Sequence, residues 1–286
     1  MLYAVIDIGS NSARLMMNNG RKTLYKRVKI TALAENMGKE RVLTEVAIKR
    51  TALAVSEFVQ HAKEQNADRI YAFATAAVRY AVNASDFLTC VKELAGVDVE
   101  VVSGEMEAEL GYKGALNGKD GGVIDIGGAS AEVVVVKDNQ KLYSKSLDIG
   151  VVKIKDACGQ DKECVREFCL EKILQYGDIP NGQFFGIGGT ATSIAAIMLK
   201  LKRYDPEKVN GFNIEVTQLK KLVDDLFSMS IEQRRNLKGL QPERTEVIAG
   251  GAMLLLLIMK KIGLDYITVS ESDNLEGYLM CKAEKL

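Results

Sequence analysis

One short pattern occurs twice in this chain. Residues 5–15 read "VIDIGSNSARL" and residues 123–133 read "VIDIGGASAEV", with seven of eleven positions identical. Each copy runs from an apolar stretch through Asp-Ile-Gly into small polar residues, then into a second apolar stretch. Two apolar runs joined by a glycine-containing polar link read as a β-hairpin. The tips fall at 8–13 and 126–131. A tight turn alone does not require the same Asp and the same Ser, so a shared chemical task accounts for the repeat better than turn geometry does.

The rest of the chain follows the same rhythm. Strands are expected at 2–7, 12–18 and 22–31, the last alternating in "KTLYKRVKI". Thr44 opens a helical pattern reaching about Gln65, with apolar residues at Val46, Ile48, Leu53, Val55, Phe58 and Val59. A buried-type strand at 69–75, a helix around Val78, a helix at 84–95, a strand at 97–103 and a helix from near Glu105 to Leu116 complete the first half. After "NGKDGG" the order restarts, with strands at 122–126, 131–136 and 140–147. Helices around 160–176, a strand–turn–helix over 182–199, a mostly helical stretch, a strand at 265–270 and a last helix near 275–284 follow. Two halves that open alike imply two related α/β domains, 1–118 and 119–286, with the last helix able to pack back on the first.

Composition excludes several classes. Apolar residues make up 47% of the chain without enrichment of Gly or Pro, as a packed globular protein requires. The 38 basic and 38 acidic residues cancel, which argues against a nucleic-acid or membrane partner. The run "AMLLLLIM" at 252–259 is too short to span a bilayer and meets Lys260 and Lys261, so it reads as a buried helix. "MLYAVID" has no basic segment ahead of its apolar residues and reads as a first strand rather than a signal peptide. Five cysteines without a CxxC pair are expected as reduced thiols in a cytoplasmic protein. The single histidine, His61, lies in a helical surface pattern and is not expected to act chemically.

The repeated turns suit anions and cations together. Glycine removes the side chain, so a phosphate can approach the backbone N–H groups at Gly9 or Gly127. Ser10, Asn11 and Ser12 add hydroxyl and amide donors. Asp7 and Asp125, at the strand ends, are placed to hold a divalent cation directly or through water. A third glycine turn, "GIGGT" at 186–190, joins a strand to a helix and could aim the helix N-terminus at a phosphate.

These stretches resemble the exopolyphosphatase / guanosine pentaphosphate phosphohydrolase family, within the sugar kinase, heat-shock-70 and actin superfamily. "DIGSNSARL" (7–15) is similar to its first phosphate loop and "VIDIGGASAE" (123–132) to its second. "GIGGTATSIAA" (186–196) is similar to its third glycine turn. "ATAAVRYAVNASDF" (74–87) and "VVSGEMEAEL" (101–110) match two further family segments, and "ERTEVIAGGAMLL" (243–255) extends the match more loosely. The resemblance implies two actin-like, ribonuclease H-like α/β domains with a cleft between them, and metal-assisted release of terminal phosphate from polyphosphate or guanosine pentaphosphate. It implies Glu107 as the base that activates water and Glu132 as a second carboxylate. It assigns phosphate contacts to Gly9, Ser10, Asn11, Ser12, Arg14, Arg79, Gly127, Gly128, Ala129, Ser130, Gly188, Gly189 and Thr190. It assigns Mg²⁺ or another divalent cation to Asp125, Glu132 and Asp7, and it allows a homodimer.

The chain departs from that pattern in places. Ala129 and Ala131 stand where Gly and Thr are usual, Asp148 replaces Pro, Lys153 replaces Arg, and "SESDNLEGYL" (270–279) lacks the usual Leu-Arg before Glu276-Gly277. Two other readings stay open on the sequence: a superfamily kinase using ATP, and a regulator that binds polyphosphate or an alarmone without turnover. Glu105, Glu107 and Glu109 alternate, and without the resemblance they would read as a solvated helix face.

Overall fold

The structure is a computed structural model that describes residues 1–38 and 40–284. The chain divides into two compact units, one of Met1–Glu107 with the chain from Tyr278 onward, the other of Ala108–Gly277. The sequence expectation places the boundary at 118/119; the compact units meet inside a helix instead.

The first unit contains β1 (Tyr3–Ile8), β2 (Ser12–Asn18), β3 (Thr23–Ile30), α1 (Glu45–Glu64), β4 (Arg69–Ala74), α2 (Ala76–Tyr80), α3 (Ala84–Ala95), β5 (Glu100–Val101) and the start of α4 (Gly104–Leu116). Its sheet order is β3-β2-β1-β4-β5. β1 lies between antiparallel β2 and parallel β4. β1 is thus an inner strand, and Ala4 to Ile8 form the unbroken run of buried residues that a strand covered on both faces requires. Thr44 caps α1 by accepting from the Ala47 amide. Ile48, Ala52, Val55, Phe58 and Val59 face inward, whereas Val46 and Leu53 are exposed, because their helical positions fall outside that stripe. The strand expected over 97–103 shrinks to two residues, since at this sheet edge only Phe73 and Ala74 pair with it. Tyr278 stacks on Phe73 with ring centroids 4.5 Å apart and donates to Glu100.

The second unit contains β6 (Gly121–Ile126), β7 (Ala131–Lys137), β8 (Gln140–Leu147), α5 (Val151–Cys158), α6 (Lys162–Ile173), β9 (Phe184–Ile187), α7 (Gly188–Met198), α8 (Pro206–Val209), β10 (Asn213–Glu215), α9 (Val216–Ser228), α10 (Ile231–Arg235), α11 (Ile248–Ile262), β11 (Tyr266–Val269) and the start of α12 (Asn274–Ala283). Its order β8-β7-β6-β9-β11-β10 reproduces the first sheet and adds an edge strand. The sequence repeat is thus a topological repeat. α11, the apolar run foreseen as a buried helix, is buried through most of its length, and among the described residues no helix is long and apolar enough to cross a membrane.

Two elements were not foreseen. α5 starts after Gly150, which offers no side-chain cap. β10 is a three-residue edge strand in a stretch expected to be helical. Because α5 ends at Cys158 and the chain turns directly into α6, Cys158 and Cys164 come within bonding distance and form a disulfide, with Cα atoms 5.5 Å apart. The expectation of five reduced thiols is corrected on this point; Cys90 and Cys169 remain free thiols.

Candidate active site

Both hairpins use one turn geometry. Gly9 donates to the Ser12 carbonyl at 3.0 Å and Gly127 to the Ser130 carbonyl at 2.9 Å. These two amides are therefore engaged inside their turns. The neighbouring amides differ. The Ser10 carbonyl accepts from Ala34, so the Asn11 N–H, on the far side of the same trans peptide, points the other way. In the second tip the Gly127 and Gly128 carbonyls accept from Val151 and Val152 at the start of α5. The Gly128 and Ala129 amides are thereby turned outward, and among the described residues none of these three amides finds an acceptor. Successive outward N–H groups form an anion-binding concavity. Gly150 makes this possible, because a Cβ there would lie 2.4 Å from the Gly128 backbone.

The acids behind the tips have different neighbours. In the first hairpin Asp7 pairs in register with Arg14, and directly opposed residues share a face. Arg14 Nε donates to Asp7 Oδ2 at 2.9 Å, and Nη2 meets the same oxygen. Asp7, expected to hold a cation, and Arg14, expected to hold phosphate, are engaged with each other. In the second hairpin Asp125 opposes Glu132, and both are acids. Ser146 donates to Glu132 Oε1 at 2.6 Å. Among the described residues no group of three or more His, Cys, Asp or Glu converges as a metal cage. Two carboxylates on one face nevertheless suit Mg²⁺, which commonly takes one or two carboxylates and completes its shell from phosphates and water. The donor set at Asp125 and Glu132 fits such an ion; at Asp7 the arginine occupies one carboxylate oxygen, Oδ2.

The third turn works mainly as a packing element. Thr190 Oγ1 donates to the Ile126 carbonyl at 2.8 Å, so its hydroxyl ties α7 to the end of β6. Gly188 has φ +72°, and a Cβ there would lie 2.5 Å from Asp125 Oδ1. A Cβ on Gly189 would lie 2.4 Å from the Arg244 guanidinium. Arg244, a buried cation against this turn, was missed in the sequence reading, although it lies in the loosely matching "ERTEVIAGGAMLL".

Glu107 sits in the first turn of α4 and is 7% exposed. Arg79 Nη1 donates to its Oε2 at 2.8 Å and to the Val102 carbonyl at 3.0 Å. The Arg79 guanidinium lies over the Tyr80 ring, 4.9 Å from its centroid, and Nε and Nη2 are buried with no hydrogen-bond acceptor among the described residues. Burial raises the Glu107 carboxyl above the ordinary glutamate range, Arg79 and a hydrogen bond from Thr75 pull it down, and the charge of Asp7 pushes it up. Glu105 is exposed, and Glu109 pairs with Lys113 at 3.2 Å. The alternation that looked like a solvated face is split by the helical turn, and only Glu107 points inward. Two departures meet each other: Lys153 pairs with Asp148. His61 is held by the Tyr25 hydroxyl at 2.8 Å.

Known proteins resemble this chain in sequence and fold. Residues 15–286 match the model of the Ppx/GppA phosphatase family. A bifunctional 3-dehydroquinate synthase/phosphatase of Fusobacterium nucleatum is 30% identical across 98% of this chain, which spans 46% of that protein. Exopolyphosphatase 2 of Mycobacterium tuberculosis is 28% identical across 98% of both chains. The crystal structure of the Aquifex aeolicus member of the Ppx/GppA family superposes with a TM-score of 0.81 at 30% identity, covering 100% of this chain and 98% of that one. With the repeated hairpins, the two sheets of like order and the buried Glu107 in view, this chain belongs to the Ppx/GppA phosphatase family.

Proposed function

We propose that this protein hydrolyses the terminal phosphoanhydride bond of a polyanionic substrate, inorganic polyphosphate or guanosine pentaphosphate, with Glu107 as general base and a divalent cation at Asp125 and Glu132. The observation that carries this reading is the inward Glu107 beside Arg79, with Glu105 and Glu109 turned elsewhere. A carboxylate that loses its hydration and is pushed above the ordinary range has the basicity that proton abstraction from water asks for.

In this reading Glu107 holds a water molecule and takes its proton as the oxygen attacks the terminal phosphorus. The bond from that phosphorus to the bridging oxygen breaks, and the electron pair leaves with the shortened chain. The transition state is loose, so positioning and charge neutralisation carry most of the rate. In the first unit Arg79 offers Nε and Nη2, which have no hydrogen-bond acceptor among the described residues, and Asn11 offers its amide; in the second unit Gly128 and Ala129 offer outward N–H groups. A bound Mg²⁺ would add charge stabilisation on phosphate oxygens. Asp125 and Glu132 would hold it.

The test compares Glu107→Gln with Glu105→Gln and Glu109→Gln, each losing one negative charge on one helix. Phosphate release should fall about 10²–10⁴-fold in the first alone. Binding of polyphosphate by that variant should persist, since a repelling charge is gone. Equal turnover in all three would remove Glu107 from the mechanism. Release that requires an added acceptor together with ATP would point to a kinase.

A further inference from the structure

Asp125 is held from a direction that the hairpin repeat does not supply. Asn274 opens α12 and donates from Nδ2 to Asp125 Oδ2 at 3.2 Å. Asn274 is 3% exposed, and its Oδ1 is buried with no hydrogen-bond partner among the described residues. A buried orphan acceptor is a net cost that an apolar side chain of similar volume would avoid. What the amide gives in return is its donor, and that donor points at one carboxylate.

The backbone around it is built for close approach. A Cβ on Gly114 would lie 2.0 Å from the Asp273 carbonyl, and one on Gly277 would lie 1.9 Å from the Leu110 carbonyl. α4 and the first turn of α12 therefore touch backbone to backbone. Gly111 leaves the space that Asn274 fills, since a Cβ there would lie 3.0 Å from its Oδ1. Gly188 closes the opposite side of Asp125, against Oδ1. One carboxylate oxygen is fixed by an amide donor, and the other lies against a glycine backbone.

We infer that Asn274 is a positioning residue that locks the Asp125 carboxylate in its cation-holding orientation. The inference rests on the reading of Asp125 as a cation carboxylate. An outer partner of this kind sets the direction and basicity of a ligating group, and its loss typically costs about 10–100-fold in metal affinity.

The experiment is a Mn²⁺ titration of the whole chain without substrate, followed by the free-ion signal in electron paramagnetic resonance. Wild type, Asn274→Leu, Asn274→Ala and Asp125→Asn are compared, with thermal unfolding of each. Leu and Ala remove the donor while changing the side-chain volume in opposite directions. Both should weaken Mn²⁺ binding by about 10–100-fold, and Asp125→Asn by at least as much. Mn²⁺ affinity within about twofold of wild type in either folded Asn274 variant, beside a weakened Asp125→Asn, would make Asn274 a packing residue and overturn the inference. Wild-type affinity in Asp125→Asn would instead overturn the cation reading of Asp125, and the inference with it.

Discussion

The two hairpins share seven of eleven residues and one turn hydrogen bond, yet they differ at the position facing the conserved Asp. Arg14 faces Asp7 in the first; Glu132 faces Asp125 in the second. The first therefore neutralises its acid internally, and the second gathers two acids on one face. Like charges directly opposed across strands repel, so the second pair is kept where something else compensates it. On the proposed reading a divalent cation does that, and Ser146 and Asn274 donate to the two carboxylates from the sides. The same scaffold occurs twice, and a single cross-strand position separates the hairpin with an internal ion pair from the one with two opposed acids.

Copying the first pair onto the second breaks that division most severely. Glu132→Arg would give Asp125 an internal ion partner and remove a cation ligand. Turnover should fall by about 10³-fold, because charge stabilisation by a metal is worth several kcal/mol. The milder Glu132→Gln keeps the shape and should lose about 10²-fold. Steady-state phosphate release with graded Mg²⁺ measures both. Wild-type turnover with unchanged sensitivity to chelation in Glu132→Arg would show that the acidic pair has no part in holding a cation.

The reverse test concerns folding. Arg14 and Asp7 side chains are 14% and 5% exposed, so Arg14→Met leaves a buried carboxylate without its partner. Breaking such a pair from one side costs about 3–5 kcal/mol. Chemical unfolding should show this, and the double variant with Asp7→Asn should recover much of it. If Arg14 serves mainly as a phosphate ligand, stability would hold while substrate affinity drops, and the contrast between the hairpins would lose its basis.

Much of this could be read from the chain. Apolar runs around Asp-Ile-Gly foretell β1–β2 and β6–β7, because a strand covered on both faces needs an unbroken apolar run. The Thr44 cap foretells the start of α1. α5 was hidden because Gly150 gives no capping signal, and the disulfide was hidden with it. Arg244 and Asn274 escaped for another reason. Their contacts with Gly189 and Asp125 are tertiary, joining residues far apart in sequence, and no local pattern encodes them. Glu107 was identified through the family motif; what local spacing could not show is that the helical turn buries it alone among three glutamates.

The smallest expected effect is a displacement in pH, and it separates the two hairpins by their coupling to the base. Burial raises the Glu107 carboxyl, and Asp7 raises it further, while Arg79 and Thr75 oppose them. A general base acts when ionised. Turnover should therefore decline as pH falls through that raised value, at a pH above the usual range for a glutamate. Arg14 tempers the charge of Asp7, so Arg14→Met, where it remains folded, should move this acid limb upward, and Asp7→Asn should move it downward. On the proposed reading Glu132 acts through the cation rather than on the base, so Glu132→Gln should lower the rate and leave the limb in place. The folding linkage has a definite sign as well. The folded protein holds this proton more tightly than the unfolded chain, so the contribution of Glu107 to stability is full in acid and is lost as pH rises through the raised value. Glu107→Gln should remove that component from the pH dependence of the melting temperature. Profiles of kcat against pH for the three hairpin variants decide the matter: a limb that moves equally for Asp7→Asn and Glu132→Gln would mean that the two hairpins do not differ in their coupling to the base.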